Sequence, residues 1–319
     1  MTIHYIDDAR YINWVLGATH PTQGRRYANA TAMLQHFAAI SGMDIVNVPS
    51  REATRAELEV VHTSEYISRV LDSHTSGAWD GTDPVLAELS TLLFGGTMVA
   101  VEHVLNGALN VVHLPGAKHH AMAEYASGFC VFADFAAAAT LLTSVHNKRV
   151  AILDIDVHHG DGTEALLRNN SDALTFSVHQ DGIFPWTGHE IEDDHVQRVY
   201  NRPLQSGAGD TELRAAVSDF VDVCQEFKPD IIMIAAGADG HAQDSLGQLL
   251  YSTEGFHAAV ELVRQSFQEL PIILGGAGGY RPDDYTPAMW VSAICALAGR
   301  AAPDEAALMQ VTGVEVALP

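Results

Sequence analysis

Two carboxylates, two imidazoles and a Gly-Asp-Gly turn crowd into one short stretch of this chain. From Val150 to Glu164 it reads V-A-I-L-D-I-D-V-H-H-G-D-G-T-E. Asp154, Asp156 and His158 are spaced by two, so in extended chain their side chains point to one side. Asp156 and His158 could then chelate one metal ion. Carboxylate oxygen and imidazole nitrogen both suit zinc, and also Fe(II) or Mn(II). The plainer alternative is a polar loop with helix-capping aspartates. It leaves five titratable groups in eight residues, directly after an apolar run, without a structural reason.

Further chemistry-bearing residues follow other apolar runs. Ile231 to Ala235, I-I-M-I-A, is followed by A-G-A-D-G-H-A-Q-D. Asp239 there is placed to complete a site with Asp156 and His158, and three protein ligands with an open position is the usual layout of a catalytic zinc. Leu109 to Leu114 ends in P-G-A-K-H-H-A-M, which carries His119 and His120. Leu174 to His179 runs into Q-D-G-I-F-P-W-T-G, where Phe184 and Trp186 could line a slot or pack inside. Ile272 to Leu274 runs into G-G-A-G-G-Y, whose glycines allow close backbone approach and deliver Tyr280. Gly128, Phe129 and Cys130 form a tight apolar segment, and Phe129 suits either core or pocket wall. Spacing alone makes Arg26 an ordinary solvated helix charge. Asp83, in the polar loop Ser73 to Pro84, reads as solvated, and Asp244 reads as the cap of a turn.

These runs must be strands, and helical stretches separate them. A helix follows Arg26 through about Ile40. Glu52 to Val70 reads as helix–turn–helix, Pro84 to Leu105 as one long helix, and Thr211 to Phe227 as another after a Gly-rich turn, Pro203 to Asp210. Strands alternating with helices predict an α/β domain, with a mainly parallel sheet covered by helices on both faces. In such sheets ligand sites form at the carboxyl ends of strands. His119 and His120, Asp154 to Asp161, Ser177 to Phe184, Asp239 and Tyr280 all fall there.

Composition narrows the function. The 319 residues are 47% hydrophobic and 18% charged, with no linker-like or low-complexity segment, which predicts one domain over 1–319. A formal net charge of −23 with only 17 Lys plus Arg argues against a nucleic-acid partner, and is compatible with a cationic substrate. Cys130, Cys224 and Cys295 are scattered without a CxxC, which fits a reducing compartment. The N-terminus lacks a signal-peptide pattern, and no apolar run reaches the roughly 18 residues needed to span a bilayer. The expectation is a soluble, cytoplasmic protein with no membrane partner.

The segments D-I-D-V-H-H-G-D-G-T, K-H-H-A-M with A-S-G-F-C, P-L-Q-S-G-A-G-D, P-D-I-I-M-I-A-A-G-A-D-G-H-A-Q-D-S-L-G and G-G-Y resemble the histone deacetylase family. That family is taken broadly, with acetoin-utilisation proteins and acetylpolyamine amidohydrolases. The segments occur in family order over nearly the whole chain, and the H-P-T-Q-G-R-R start is similar to bacterial acetoin-utilisation members. The resemblance implies a single arginase-like α/β domain. It implies Zn2+, with Fe2+ as the other candidate, held by Asp156, His158 and Asp239. His119 and His120 match tandem active-site histidines, with His120 as general base. Asp154 and Asp161 match their carboxylate partners, and Tyr280 the oxyanion donor. Phe129 and Phe184, beside Gly128, match the walls of an acyl-lysine slot. Arg26 matches an arginine in a channel below the metal, and Asp83 is assigned as the rim aspartate. Asp154, Asp156, His158, Ser177 and Val178 match a structural K+ site. The implied substrate is acetylated lysine in protein, or an acetylated polyamine or small amine.

Three positions depart from the family pattern. Ala133 stands where Asn is common, Trp186 replaces the Gly of F-P-G-T-G, and G-G-A-G-G-Y is longer than the usual run. Two rivals remain at this point. A dimanganese ureohydrolase needs a second carboxylate after Asp239, where the chain has Gly240 and His241. A non-catalytic acyl-ligand-binding protein would be signalled by a lost ligand or a lost tyrosine, and neither is lost.

Overall fold

Among the described residues, nine strands form one sheet: β1 (Ile3–Asp7), β2 (Ile45–Pro49), β3 (Asn110–His113), β4 (Val150–Asp154), β5 (Ala173–Gln180), β6 (Glu192–Asp194), β7 (Val199–Leu204), β8 (Ile231–Ala235) and β9 (Ile272–Gly275). Their order is β2-β1-β3-β9-β8-β4-β5-β7-β6, and only the β6–β7 pair is antiparallel. The computed structural model describes residues 1–311; positions 312–319 of the single-domain expectation lie outside the described residues.

The central strands β3, β4, β5, β8 and β9 are buried at every residue. Continuous burial requires cover on both faces, which is why these strands read as unbroken apolar runs. One group of packed helices holds Arg25–Ser41, Asp210–Phe227, Thr253–Ser266 and Tyr285–Leu297; the other holds Ser64–Leu71, Pro84–Leu105, Asp134–Ser144 and Asp161–Leu167. The α/β architecture expected from the sequence is therefore present.

Four strands escaped the sequence reading. β1 carries the half-polar run I-H-Y-I-D, and β2 is an edge strand exposed at several positions. Pro203 and Leu204, read as a turn, close β7. Proline is tolerated there because β7 pairs on its far side only with short β6, over Val199 to Asn201.

The helix Pro84–Leu105 corrects another expectation. It is long and apolar enough to cross a membrane by length and composition, yet 83% of its most apolar stretch is buried inside the protein. Its interior glycines explain the placement. A Cβ on Gly95 would lie 1.9 Å from the Arg51 carbonyl oxygen, and one on Gly96 would lie 2.2 Å from His113 Nε2. The helix is apolar because it is a core element pressed against its neighbours.

Candidate metal centre and active site

β4 stops at Asp154, so strand alternation does not carry the next residues. The chain bends instead, and the carboxylates satisfy the bend's own amides. Asp154 Oδ1 accepts from the Asp156 amide at 3.1 Å, and Asp156 Oδ1 accepts from the His158 amide at 2.9 Å. Asp156 Oδ2 accepts from the Gly278 amide at 2.7 Å. Asp239 sits on the short 3-10 turn Ala238–Gly240 after β8, and its Oδ1 accepts from the Val157 amide at 3.0 Å. Parallel pairing of β4 with β8 and of β8 with β9 brings these loops to one sheet end.

One ligand atom each from Asp156, His158 and Asp239 lies within 4.8 Å of the others. His158 Nδ1 is 3.0 Å from Asp156 Oδ1 and 3.3 Å from Asp239 Oδ2. The latter contact lacks hydrogen-bond geometry, so Asp239 Oδ2 is buried without a partner. Burial, then the charge of Asp156, pushes the Asp239 carboxyl up to about 7. Burial works to lower His158, but Asp156 and Asp239 prevail and raise it to about 10. Both shifts express the same surplus of negative charge in a dry place. The donor set of two carboxylates and one imidazole fits a divalent cation such as zinc or Fe(II). Room around it depends on glycine: a Cβ on Gly278 would lie 2.1 Å from Asp239 Oδ2.

Each of the tandem histidines has its own carboxylate. His119 Nδ1 lies 2.7 Å from Asp154 Oδ2, and His120 Nδ1 lies 2.6 Å from Asp161 Oδ1. A carboxylate on Nδ1 fixes the tautomer and orientation, leaving Nε2 for chemistry. The two rings are 4.0 Å apart, yet their proton affinities diverge. Burial lowers His119, but Asp154 and Asp156 raise it to about 9. Burial and the neighbouring His119 charge push His120 down to about 3, against Asp161. Gly128 takes φ +51, and a Cβ there would lie 2.2 Å from His120 Cδ2, so glycine admits the imidazole.

Aromatic residues border these groups. The Phe129 ring lies 6.0 Å edge-on from Tyr280. The Phe184 ring is 5.0 Å from His120 and 6.2 Å from His158. Burial, then Asp239 and Asp156, raises the Tyr280 phenol well above its ordinary value, so it stays a donor. Its backbone amide donates to Asp244 Oδ2 at 2.8 Å.

The profile of the histone deacetylase domain matches residues 20–297. The chain belongs to the histone deacetylase family. It is a hydrolase of the deacetylase class. Among curated relatives, the acetoin utilization protein AcuC of Staphylococcus aureus (strain MRSA252) is 30% identical over 90% of this chain and 79% of its own. That of Bacillus subtilis (strain 168) is also 30% identical with the same coverage, and that of Staphylococcus xylosus is 27% identical over 95% of this chain and 84% of its own.

This deacetylase places its remaining expected residues unevenly. Arg26 is no solvated charge. It is buried, giving Nη1 to the Gly279 carbonyl at 2.7 Å and Nη2 to the Tyr27 hydroxyl at 2.7 Å. Asp83 caps the helix Pro84–Leu105, its Oδ1 accepting from the amides of Val85 and Leu86 at 2.9 Å each. The cap engages Oδ1 alone. Ser177 pairs with Asp154 across β4 and β5, and Val178 is buried beside it. Ser177 Oγ lies 2.9 Å from His179 Nδ1. Ala133 is buried next to Asp134, where its amide meets His62 Nε2 at 2.9 Å. Trp186 is 66% exposed at φ +63, a conformation that glycine adopts more easily.

Sequence reasoning missed the residues that hold the site together. Asp134 accepts from the amides of Ala117 and Lys118 at 2.9 and 2.7 Å, fixing the turn before His119. His159 bridges Thr187 Oγ1 at 2.8 Å and Glu164 Oε2 at 3.0 Å. His179 Nε2 reaches the Gly188 carbonyl at 2.8 Å. The only sequence signal for these was a buried-type residue pattern with an unexplained polar member.

Proposed function

We propose that the chain hydrolyses the amide of an N-acyl amine: N-acetyl-lysine in a protein, or an acetylated polyamine or small amine. The carrying observation is the buried Asp156, His158, Asp239 cluster beside two imidazoles, each held at Nδ1 by its own carboxylate. A carboxylate on Nδ1 fixes each ring's tautomer and leaves Nε2 for proton transfer. Asp156, His158 and Asp239 would hold Zn2+ or Fe2+, which supplies Lewis acidity and brings the pKa of water down towards about 7.

The protein groups do the rest. His120, neutral and oriented by Asp161, presents Nε2 to take a proton from the attacking water. It then delivers that proton to the leaving nitrogen, which would otherwise depart as a poor, strongly basic anion. His119, braced at Nδ1 by Asp154, stands with its ring 4.0 Å from that of His120, beside the developing oxyanion. The Tyr280 hydroxyl donates to that oxyanion. Phe129 and Phe184 enclose an uncharged, flexible acyl-aminoalkyl chain and exclude water. Asp154, Asp156, His158, Ser177 and Val178 would surround a structural K+ that braces the β4–β5 end. Three free, buried cysteines support the cytoplasm as the place of work.

The test is turnover of an acetyl-lysine peptide, acetylputrescine, acetylspermidine and a longer acyl-lysine peptide, each with metal-loaded protein. Release of acid from any of them is expected, and the ranking names the substrate class. Silence across the set, with metal bound, would contradict the reading.

A further inference from the structure

His113, at the end of β3, is a fully buried histidine that the reaction above does not use. Its Nδ1 lies 3.0 Å from the Thr97 hydroxyl, and its Nε2 lies 3.0 Å from the Tyr11 hydroxyl. Thr97 in turn donates to Asp134 Oδ2. A glycine makes room where the three meet. A Cβ on Gly116 would lie 2.9 Å from Thr97 Oγ1 and 3.0 Å from both Asp134 Oδ2 and His113 Nδ1. Burial raises the Asp134 carboxyl above its ordinary value, against the Thr97 hydroxyl, the amides of Lys118 and Ala117 and the Lys118 charge. With three donors converging on it, Asp134 acts as the acceptor. The Thr97 hydroxyl then spends its one hydrogen on Asp134 and can only accept from His113, so the His113 hydrogen sits on Nδ1. Nε2 is left bare to accept from Tyr11, whose phenol burial keeps protonated. Burial, then the Lys118 charge, pushes His113 down to about 3, so it stays neutral with that single hydrogen.

This row of hydrogen bonds ends where the tandem histidines begin. The amides held by Asp134 belong to the two residues before His119. On the other side, the His119 carbonyl accepts from the Thr163 amide at 2.9 Å. A Cβ on Gly162 would lie 2.7 Å from the His120 carbonyl carbon and 2.8 Å from the His119 oxygen. Gly162 and Thr163 follow Asp161, the partner of His120. The His119–His120 segment is thus gripped between the Asp134 turn and the start of the helix Asp161–Leu167. We propose that Thr97 and His113 are positioning residues, which set the Ala117–Lys118 turn through Asp134 and so aim Nε2 of His119 and His120. Their worth is geometric: a misplacement of about 1 Å at a reacting group can cost on the order of 10²-fold in rate. The inference rests on the amide hydrolysis proposed above.

The experiment compares the metal-loaded protein with its Thr97→Val, Thr97→Ser and Tyr11→Phe variants. Valine keeps the shape of threonine but neither donates nor accepts, so it opens the row beside Asp134; serine keeps the hydroxyl. Thr97→Val should lower kcat about tenfold or more, with KM within about twofold and the metal retained, and Thr97→Ser should restore kcat to within about threefold. Tyr11→Phe cuts only the far end of the row and should lower kcat about threefold. The second readout is the imidazole nitrogen NMR spectrum of the same proteins. The His119 and His120 signals should move in Thr97→Val and return in Thr97→Ser. A lowered unfolding midpoint alone, with kcat and both signals unmoved, would make the row a structural brace and overturn the proposal. If Thr97→Val does not fold, Tyr11→Phe decides: unmoved kcat and signals there overturn it. If the unmodified protein cleaves no amide, the proposed function fails, and the imidazole spectrum alone decides the positioning.

Discussion

The chain has two adjacent-histidine pairs that look alike in sequence and do different work. His119 and His120 both face the candidate site, each braced at Nδ1 by a separate aspartate. His158 and His159 part company. His158 turns its Nδ1 to Asp156 and Asp239, whereas His159 turns to Thr187 and Glu164. Its neighbour in space, His179, holds Gly188 in the same loop. This loop carries Phe184 and Trp186, so on the proposed function the second pair gives one imidazole to the metal and the other to the rim. Partners, rather than the dipeptide, assign the role: a carboxylate on each Nδ1 makes two site imidazoles, and a divided set makes one ligand and one anchor.

The sharpest way to break this comparison is at the metal. Asp239→Ala should leave His158 with half its carboxylate partners and abolish metal retention, read by elemental analysis after dialysis. Full occupancy would remove Asp239 from the ligand set. His158→Ala should do the same, whereas His159→Leu should keep its metal and raise KM through the loosened rim; metal loss in both would erase the distinction between the two.

Within the first pair, His120→Ala should lower kcat by about 10²- to 10⁴-fold, the usual worth of general acid–base catalysis. Asp161→Asn should lower it less, with a changed pH profile. Tyr280→Phe should cost about 10²- to 10³-fold while retaining metal, as for loss of one oxyanion donor. Normal turnover in that variant would withdraw its role.

The anchor side makes a smaller, pH-dependent prediction. Burial alone would raise Glu164, but His159, Asn201 and Arg168 lower it from 4.5 to about 2. A carboxylate depressed on folding stabilises the native state above its unfolded pKa. That contribution, on the order of 3 kcal/mol, is therefore complete above about pH 4.5 and lost as pH falls towards about 2. Urea unfolding between pH 6 and 3 should show a shallower acid loss in Glu164→Gln. Identical pH slopes would mean that Glu164 is not an anchor. Smallest of all, Trp186→Gly should change stability by less than about 1 kcal/mol. Relief at positive φ and the extra freedom of unfolded glycine roughly offset each other. A larger loss by urea titration would show the indole to be packed.

The sequence made the cluster legible because its members sit at the ends of buried strands, and buried parallel strands announce themselves as unbroken apolar runs. Asp156, His158 and Asp239 fall together for that reason, as do His119 and His120. The edge strands β1, β2, β6 and β7 were not legible, since half-exposed strands of mixed composition resemble loops. Arg26 was misread because helical periodicity says nothing about a cavity that receives a charge. Asp83 shows the converse: an aspartate before proline and an apolar helix carries a cap signature, and the cap is what forms. Lys118 and His159 were passed over because each adjoins a more conspicuous histidine.

One measurement bears most directly on the central claim. Metal-stripped protein is titrated with zinc while acid release from the best acyl-amine substrate is followed. Activity should be absent at the start and rise to a plateau at one equivalent per chain, with Asp239→Ala silent throughout. Undiminished activity in the stripped protein, or no activity with one metal bound, would contradict a single-metal deacylase built on Asp156, His158 and Asp239.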